Sequence, residues 1–516
     1  MARIFENLSD AAFYHAQQRG DAPAIHQGHV TVTYRELAAG IAKAAVHLRD
    51  LGVKPGEMVG LSLPTSIPHV ILLYALLRVG AVPVDMPMRR PSGRDPLKMF
   101  GVKRVLAVPG FTAADATVHM LDDGWRAAVS AKTGDHRVSG LANQLFLFSL
   151  TSGSTGVPKG VITSQREWWE RYRSAAALLP ELVTEERPPV LLAIGEISFS
   201  GFFFFIANQI CIGGPTVLIG LVESIEDLIK AINAWEDTAF LATPNMCREI
   251  LSKAEGEGPL FPKVRAMVVG AAPLYPDEKR TIMARLTPNL YEVYGNAATG
   301  FISALRPAEM AQKADSVGRI APGIAVDIVD PRGRLGPPGS IGHIRCRGSG
   351  ISQRFLGPES RSPGGPEGFR DGSYYPGDLG AIDPQGFLHL MGRVSDLINR
   401  RGIVIYPPEI EAVLAGHPGV AEAAVIGIPG DTPEEEQVIA VLVRRGEADL
   451  EEVAQHCRTH LPPEKHPNQL FWADALPKTG PGKIDKPAIK AMVIKRLKSA
   501  ASAPDAAPAS VDGSGG

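Results

Sequence analysis

Residues 149–161 read SLTSGSTGVPKGV, the stretch of sequence that decides the fold. It combines hydroxyl side chains, three glycines and Lys159, and it follows an apolar run at 145–148 that predicts a buried strand. Glycine lets the backbone approach an anion closely, hydroxyl and amide groups donate to phosphate oxygens, and lysine adds a positive charge. The stretch therefore predicts a loop that binds a polyphosphate.

The spacing of this loop differs from that of a Walker A loop, Gly-x-x-x-x-Gly-Lys-Ser/Thr, which leads directly into a helix. Counting from Gly153, the position of the second glycine is Pro158, and Lys159 is followed by Gly160. Proline and glycine around the lysine indicate a mobile loop. The alternative is an ordinary Gly/Ser turn between two strands.

The loop resembles the phosphate-binding loop of the adenylate-forming superfamily, which includes acyl-CoA synthetases, aryl-CoA ligases, luciferases and the adenylation domains of peptide synthetases. Further resembling stretches follow in order between Asp21 and Lys486. They are residues 22–25, 33–37, 80–84, 269–274, 342–348, 375–379, 392–398 and 477–484. The first two resemble the superfamily's opening strand and first helix. The ordered set identifies the chain as a member of this superfamily.

Composition sets bounds on the fold and on the partners. A chain of 516 residues suggests two or three subdomains, and 45% hydrophobic with 21% charged residues is typical of a soluble globular enzyme. With 53 basic and 55 acidic residues, nothing indicates nucleic acid or an anionic membrane as a partner. The cysteines at 211, 247, 346 and 457 form no metal-ligand pair, so we expect reduced, buried thiols in a cytoplasmic protein.

One apolar stretch requires a test for a membrane span. Residues 198–222 carry no charge and are numerous enough to cross a bilayer. A Gly-Gly-Pro sequence at 213–215 interrupts them, so we expect a helix over 201–211, a turn and a strand over 216–221. The N-terminal sequence MARIFENLSD lacks a continuous apolar core, so no signal peptide is expected.

The alternation of apolar and amphipathic segments predicts an α/β fold with a large, multi-layer N-terminal domain of sheets and helices over residues 1–392. A small, mobile α+β domain is expected over 393–498, and a disordered tail rich in Ala, Ser, Pro and Gly over 499–516. Predicted helices cover 228–235, 408–414 and 450–461, and predicted strands cover 239–242, 263–269, 423–428 and 438–443.

The resemblance implies a reaction in two halves. A carboxylate attacks the α-phosphorus of ATP to give an acyl-adenylate and pyrophosphate, and a thiol then displaces AMP to form a thioester. Charge stabilisation by positive groups and directed donors is the main need of the first half. The implied ligands of the β- and γ-phosphates, with Mg²⁺ assisting, are Thr151, Ser152, Gly153, Ser154, Thr155, Gly156 and Lys159.

Other matching positions imply binding of the nucleoside. Asp378 would accept hydrogen bonds from the ribose hydroxyls, and Arg393 would contact the same ribose. The segments that would lie beside the adenine are Gly270, Ala271 and Ala272 with Tyr294, Gly295 and Asn296. The structural alternatives are a turn cap for Asp378 and a surface ion pair for Arg393.

The small domain contributes three further expectations. Lys483 resembles the superfamily's catalytic lysine, which bridges the carboxylate and the α-phosphate. Ser395 lies at the hinge position, where the superfamily usually has Asp or Lys, and Gly402 lies where the pantetheine arm would pass. The alternatives are a solvated lysine and an ordinary turn glycine.

Two departures from the superfamily pattern affect the prediction. The usual Tyr-Gly-x-Thr-Glu is replaced here by a sequence that ends in Ala297 and Ala298, so the threonine at the α-phosphate and the glutamate at the magnesium ion are both missing. Thr299 is a substitute only under a shift of register. No protein ligand to a metal is therefore predicted, since Mg²⁺ often relies on phosphate and water.

The second departure concerns the acyl substrate. Ser198 occupies the position where peptide synthetases have an aspartate that binds an amino group, which argues against an α-amino acid substrate. Phe199 and Phe202 offer apolar walls for an aliphatic or aromatic acid. The alternative is that the phenylalanines of 199–205 belong to a core helix.

The leading hypothesis is an AMP-forming acid–thiol ligase that joins an apolar carboxylic acid to CoA with ATP and Mg²⁺. The second hypothesis is a stand-alone adenylation enzyme that loads a carrier protein. The third is a catalytically silent paralogue that binds nucleotide or acyl ligand or serves as a partner subunit. Ala297 and Ala298 favour this hypothesis, and it is opposed by the retained Lys159, Asp378, Arg393 and Lys483.

Overall fold

The computed structural model describes residues 3–86, 96–135, 137–139, 145–151, 159–220, 222–356, 367–430, 435–478 and 483–501. The chain divides into two compact units, Met1–Leu390 and Met391–Gly516. The division follows compactness alone, and the separate movement of a small domain beginning at residue 393 stays a prediction.

The helices begin where polar caps and prolines place them. Thr33 and Ser164 precede α2 and α6 and form capping boxes with the glutamate three residues on. The helices of the described residues are α1 Asp10–Arg19, α2 Tyr34–Asp50, α3 Ile67–Val79, α4 Pro96–Phe100, α5 Asp123–Ser130, α6 Gln165–Leu178, α7 Ser200–Ile212, α8 Ile225–Asn233, α9 Pro244–Lys253, α10 Pro276–Arg285, α11 Pro307–Lys313, α12 Pro407–Ala415, α13 Leu450–His460 and α14 Lys486–Ala501.

The strands are mostly short and apolar. Those of the described residues are β1 Pro23–Gln27, β2 Val30–Thr33, β3 Met58–Ser62, β4 Val82–Asp85, β5 Arg104–Ala107, β6 Thr117–Met120, β7 Leu145–Thr151, β8 Lys159–Ser164, β9 Val190–Ile194, β10 Thr216–Ile219, β11 Thr238–Ala242, β12 Val264–Val269, β13 Leu290–Asn296, β14 Gly300–Leu305, β15 Arg319–Ile320, β16 Ile324–Val329, β17 Gly342–Gly348, β18 Arg354–Leu356, β19 Glu367–Arg370, β20 Ser373–Pro376, β21 Asp378–Ile382, β22 Leu388–Arg393, β23 Ile398–Arg400, β24 Ile403–Ile405, β25 Val420–Pro429, β26 Glu436–Arg444 and β27 Gln469–Ala473.

Two sheets form the centre of the large unit. The first has the order β15-β14-β13-β12-β11-β9-β10-β1-β2, and its strands from β13 to β1 run parallel. The second has the order β18-β8-β7-β4-β3-β5-β6 and is parallel from β7 to β6. Parallel strands need helical crossovers, which place helices on the sheet faces.

A single apolar core joins these two sheets. Ile25 of the first sheet and Leu61 of the second belong to one cluster with Leu73 of α3 and Ile210 of α7. On the other face of the first sheet, residues of α8, α9 and α10 pack against strands that include β11 and β12. The first sheet is therefore covered on both faces, which explains why its strands are almost continuously apolar.

A third sheet of the large unit has the order β19-β20-β17-β21-β22, with β16 paired to β17. In the small unit, the three strands β25, β26 and β27 form a sheet that alternates its apolar side chains between two faces. Val425 faces a cluster with residues of α12 and α13, whereas Ala424 and Ile426 face a cluster with Ile489 and Val493 of α14.

The predicted α/β class, with a large N-terminal part and a smaller C-terminal part, is confirmed. The expected helix at 201–211 is α7, and the expected strand after it is β10, which ends at Ile219 rather than at residue 221. No helix in the described part of the chain is long and apolar enough to cross a membrane.

Three expectations need correction. The helix that begins after Thr33 is the second, because α1 precedes it. The small unit also contains β27 and α14, which the sequence patterns did not indicate. Finally, α14 continues through Ala501, two residues beyond the expected start of the tail at 499, and residues 502–516 lie outside the described residues.

Candidate functional site

The predicted phosphate loop connects two antiparallel strands. Strand β7 ends at Thr151 and β8 begins at Lys159, and these two residues are register partners. The chain thus enters a strand after the loop, and helix α6 begins only at Gln165, which excludes the strand–loop–helix arrangement of a Walker A motif. The predicted ligands Ser152, Gly153, Ser154, Thr155 and Gly156 lie outside the described residues.

The predicted adenine-binding segments lie side by side at one edge of the first sheet. Gly270 follows β12, and Tyr294 lies near the end of the neighbouring parallel strand β13. A Cβ atom on Gly270 would lie 2.9 Å from the carbonyl oxygen of Val293, so this position requires glycine. Ala271 adopts a left-handed conformation with φ 74°, which costs backbone energy and is typical of functional loops.

Tyr294 and Asp378 form a direct contact within this region. The Tyr294 hydroxyl donates to Oδ2 of Asp378 at 2.6 Å, although the two residues are 84 positions apart in the sequence. Burial, together with the Asp378 charge, raises the pKa of Tyr294 well above its usual value, so the phenol keeps its proton and donates. The structure therefore brings a predicted adenine residue and the predicted ribose carboxylate together.

The segment after Tyr294 forms the turn between β13 and β14. A Cβ atom on Gly295 would lie 1.9 Å from the carbonyl oxygen of Gly300, so a larger residue cannot occupy this position. The side chain of Asn296 accepts at Oδ1 from the amides of Ala298, at 2.9 Å, and Thr299, at 3.1 Å. The predicted site residue Asn296 therefore orders the turn, and its Nδ2 donates to the Tyr374 hydroxyl at 3.3 Å.

Thr299 does not take the place of the missing threonine. Its side chain is fully buried, and its hydroxyl donates to the carbonyl oxygen of Gly300 at 2.9 Å. The same hydroxyl accepts from the amide of Asn296 at 3.2 Å. Ala298 is also buried, in an apolar cluster that contains Val161 and Ile302. Neither position presents a polar side chain to a ligand.

The predicted acyl residues follow β9 at the same sheet edge. The Phe199 and Phe202 rings are partly exposed and lie 5.5 Å apart between centroids, whereas Phe203 and Phe205 are buried in the core. The phenylalanine run therefore divides into partly exposed rings, which can line a ligand pocket, and rings buried in the core. The Ser198 hydroxyl donates to the carboxylate of Glu196 at 3.1 Å, a neighbour that the sequence prediction missed.

A threonine joins this segment to the second sheet. Thr65 lies shortly after the end of β3. Its hydroxyl donates to the carbonyl oxygen of Gly195 at 3.1 Å and accepts from the amide of Ile197 at 3.0 Å. The carboxyl ends of strands from both sheets are thus connected, which is where α/β proteins commonly bind ligands. No local pattern around Thr65 indicated this role.

The remaining predicted residues lie in the small unit. Lys483 is exposed and precedes α14, while residues 479–482 are outside the described part of the chain. Arg393 ends β22, and Ser395 is exposed in a short 3₁₀ turn, Val394–Asp396, where its hydroxyl donates to Asp396 at 2.9 Å. Gly402, with φ 81°, forms the turn between β23 and β24, beside Arg401 with φ 54°.

The chain is similar in sequence to known enzymes over most of its length. The family model for the AMP-binding enzyme matches residues 12–356, and the model for the AMP-binding enzyme C-terminal domain matches residues 409–483. A probable CoA ligase, CCL9, from Humulus lupulus is 28% identical over 89% of this chain and 91% of its own length. A 2-succinylbenzoate–CoA ligase from Geobacillus is 26% identical over 91% of this chain and 94% of its own length.

Solved structures agree in fold. ATP-bound MatB from Rhodopseudomonas palustris superposes with a TM-score of 0.81 at 23% identity, over 95% of this chain and 99% of that chain. O-succinylbenzoate CoA synthetase from Bacillus subtilis, solved with AMP, gives a TM-score of 0.81 at 23% identity, over 93% and 98%. Because the family models match more than half of the residues, the chain belongs to the AMP-binding enzyme family, and the predicted superfamily is confirmed.

Proposed function

We propose that this protein activates a carboxylic acid with ATP and transfers the acyl group to the thiol of CoA, releasing pyrophosphate and AMP. The carboxylate oxygen would form a bond to the α-phosphorus while the bond to pyrophosphate breaks. The thiolate sulfur would then attack the acyl carbon, and AMP would leave. The relatives described as CoA ligases support this assignment.

The Tyr294–Asp378 hydrogen bond is the observation that carries the proposal. The bond holds the Asp378 carboxylate beside Tyr294, whose strand β13 neighbours β12, the strand that Gly270 and Ala271 follow at one edge of the first sheet. A carboxylate is well suited to accept from two ribose hydroxyls, because charge-assisted hydrogen bonds are stronger than neutral ones. The same edge carries the ends of several parallel strands, where nucleotides bind in α/β folds.

The two lysines have complementary roles in the proposal. Lys159 begins β8 next to the phosphate loop and would stabilise the pyrophosphate leaving group. Lys483, which is exposed on the small unit, would bridge the carboxylate and the α-phosphate. The described residues contain no group of three or more His, Cys, Asp or Glu side chains that could bind a metal ion. Mg²⁺ would therefore be bound mainly by phosphate oxygens and water, and would neutralise phosphate charge.

The acid we propose is apolar, either aliphatic or aromatic. The partly exposed Phe199 and Phe202 rings support this choice, since aromatic side chains commonly line such pockets. Loading of a carrier protein is the alternative for the second half, because a carrier's pantetheine arm ends in the same thiol as CoA. Buried, unpaired thiols at all four cysteines support a cytoplasmic location.

Pyrophosphate release from ATP tests the proposal directly. Short, medium, long and aryl acids would each be supplied with and without CoA, and AMP would be quantified. We expect release that depends on one class of acid and that increases with CoA. Release without CoA stimulation would favour carrier loading, and no release from a protein that still binds ATP would favour the silent paralogue that Ala297 and Ala298 suggest.

A variant of Lys483 provides the matched test of mechanism. Lys483→Ala should lower adenylate formation by a factor of hundreds or more, because the loss of such a charge typically costs a few kcal/mol of barrier. Lys478→Ala is the control, since Lys478 precedes the same segment and pairs with Glu422 at 2.8 Å. Unchanged pyrophosphate release by Lys483→Ala would refute the assigned role.

A further inference from the structure

Arg171 of α6 lies behind the turn that departs from the family pattern. Its guanidinium donates to the carbonyl oxygens of Ala297 at 3.1 Å and Ala298 at 2.6 Å. It also donates to the carbonyl oxygen of Gly350 at 2.7 Å and to the Ser352 hydroxyl at 2.6 Å. One side chain thus contacts both positions at which the expected threonine and glutamate are missing.

The charge of Arg171 is stabilised mainly by hydrogen bonds. The residue is buried. The charge of Glu167, one turn earlier on α6, favours the charged guanidinium, but no carboxylate in the described part of the chain lies within ion-pair distance of it. Burial lowers the pKa of Arg171 to about 10, which still leaves the guanidinium charged at neutral pH. A buried charge that no carboxylate contacts directly is costly and persists only where hydrogen bonds satisfy it. Backbone carbonyls and one hydroxyl do so here.

Ser352 extends this contact to the strand that follows the phosphate loop. Its amide donates to the carbonyl oxygen of Ala298 at 2.8 Å, and its hydroxyl lies 2.8 Å from the hydroxyl of Thr163 on β8. Ser352 and Thr163 are both almost fully buried. A continuous hydrogen-bonded network therefore joins β8, Arg171 and the turn. We call Arg171, Ser352, Thr163 and the carbonyls of Ala297, Ala298 and Gly350 the Arg171 cluster.

Hydrogen bonds from two sides thus fix the position of the turn. Asn296 accepts from the amides of Ala298 and Thr299, while Arg171 donates to the carbonyls of Ala297 and Ala298. Gly300, with φ 67°, leaves space for the arginine, because a Cβ atom there would lie 3.0 Å from its Cδ. The strand that enters this turn carries Tyr294, whose hydroxyl contacts Asp378. A shift of the turn would therefore displace the proposed nucleotide contact.

We infer that Arg171 is a positioning residue of the nucleotide site, which fixes the Ala297–Ala298 turn and, through it, the Tyr294–Asp378 pair. The inference rests on the proposed nucleotide site. In this chain Ala297 and Ala298 have no polar side chain that could bind a phosphate or a metal ion. The position of the turn therefore depends on the hydrogen bonds to its backbone. Arg171 acts through the turn and does not itself touch the substrate.

Nucleotide binding by the full chain tests this inference, with AMP as the probe and no acid present. Arg171→Met should weaken AMP binding at least about tenfold in calorimetry and raise the KM for ATP by a similar factor. Arg171→Lys, which keeps the charge but cannot form the forked contacts, should recover only part of the affinity. The exposed Arg173, two residues along α6 and paired with Glu170 at 2.7 Å, provides the control Arg173→Met, which should leave both quantities unchanged.

A purely structural role gives a different result. In that case Arg171→Met lowers the unfolding temperature but leaves AMP affinity and the KM for ATP unchanged in the folded fraction, which would overturn the inference. If Arg171→Met does not fold, Ser352→Ala replaces it as the test variant and should weaken AMP binding about threefold. Unchanged AMP affinity in both Ser352→Ala and Arg171→Lys would also overturn the inference. Wild-type protein that binds AMP but releases no pyrophosphate would refute the proposed reaction without affecting this test.

Discussion

Two buried cationic side chains contact strand β13 or the turn that follows it, and their charges are stabilised by different kinds of partner. Lys279 of α10 lies 2.5 Å from the carboxylate of Glu292 on β13 and donates to the carbonyl oxygens of Ala314 and Ser316. We call these groups the Lys279 cluster. Arg171, beyond the other end of the strand, has carbonyl and hydroxyl partners only. The lysine pairs with a carboxylate on the strand, whereas the arginine, which no carboxylate in the described residues contacts directly, lies at the proposed site.

The difference separates stability from function. A paired lysine and glutamate at this depth connect α10 to β13, and removal of one partner leaves a buried charge. The Arg171 cluster instead directs a cation at backbone carbonyls, which determines where a turn lies. We therefore expect changes in the Lys279 cluster to affect unfolding most, and changes in the Arg171 cluster to affect nucleotide affinity most.

The largest expected effect is that of Lys279→Met. At pH 8 it should lower the free energy of unfolding by about 3–5 kcal/mol, because the Glu292 carboxylate is left buried without its cation. The loss should be smaller at pH 5, where that carboxyl group can take up a proton. Denaturant titration at the two pH values measures both quantities.

The control for this variant is Lys230→Met. Lys230 and Asp227 form an exposed pair on α8, and such pairs contribute little to the free energy of unfolding. AMP affinity of the folded Lys279→Met protein should remain that of the wild type. Weakened AMP binding at full folding would mean that the two clusters are not functionally distinct.

Local patterns explain which parts of this architecture could be predicted from the sequence. Helices α7, α12 and α13 follow from apolar spacing and helix-breaking residues within a few positions. The Arg171 cluster could not be predicted in this way, since Arg171 and Ala298 are 127 positions apart. Its members have no periodicity, and only the folded chain brings α6, β8 and the turn together.

The candidate site shows the same limit. Tyr294 and Asp378 were each predicted from a short motif, but their hydrogen bond spans 84 positions and appears only in the structure. Conversely, Thr299 was a possible substitute on sequence grounds, and its burial is what excludes it. Residue type predicts chemistry well, whereas the direction in which a side chain points depends on contacts distant in sequence.

The pH dependence of stability provides a second test of the Lys279 cluster. Burial raises the pKa of Glu292 to about 7, despite the opposing effect of Lys279. Between about pH 4.5 and 7 the folded state therefore binds more protons at this carboxyl group than the unfolded state does. Protonation of Glu292 thus stabilises the folded state at low pH, and this stabilisation is lost as the pH rises. In the wild type this effect should lower the free energy of unfolding by on the order of 1–3 kcal/mol across that window, and Glu292→Gln should abolish it.

This prediction is measured as a difference between two profiles, because other carboxylates titrate in the same range. Asp383, for example, contributes in the opposite direction, since its hydrogen bonds hold its pKa far below its usual value. Unfolding free energies of wild type and Glu292→Gln would be compared from pH 4 to pH 8. Parallel profiles would show that Glu292 does not titrate within this window.

The smallest expected effect is that of Thr163→Val in the Arg171 cluster. The substitution removes the hydroxyl that lies 2.8 Å from Ser352 and leaves the contacts of Arg171 intact, so it should cost about 1 kcal/mol of unfolding free energy. Thr238→Val is a closely matched control, because the Thr238 hydroxyl is equally buried but has no hydrogen-bond partner among the described residues. Urea titration of both variants should show a loss for Thr163→Val and none for Thr238→Val. Equal losses would mean that the hydroxyl contact adds nothing to the cluster, and that Arg171 and Ser352 place the turn without support from β8.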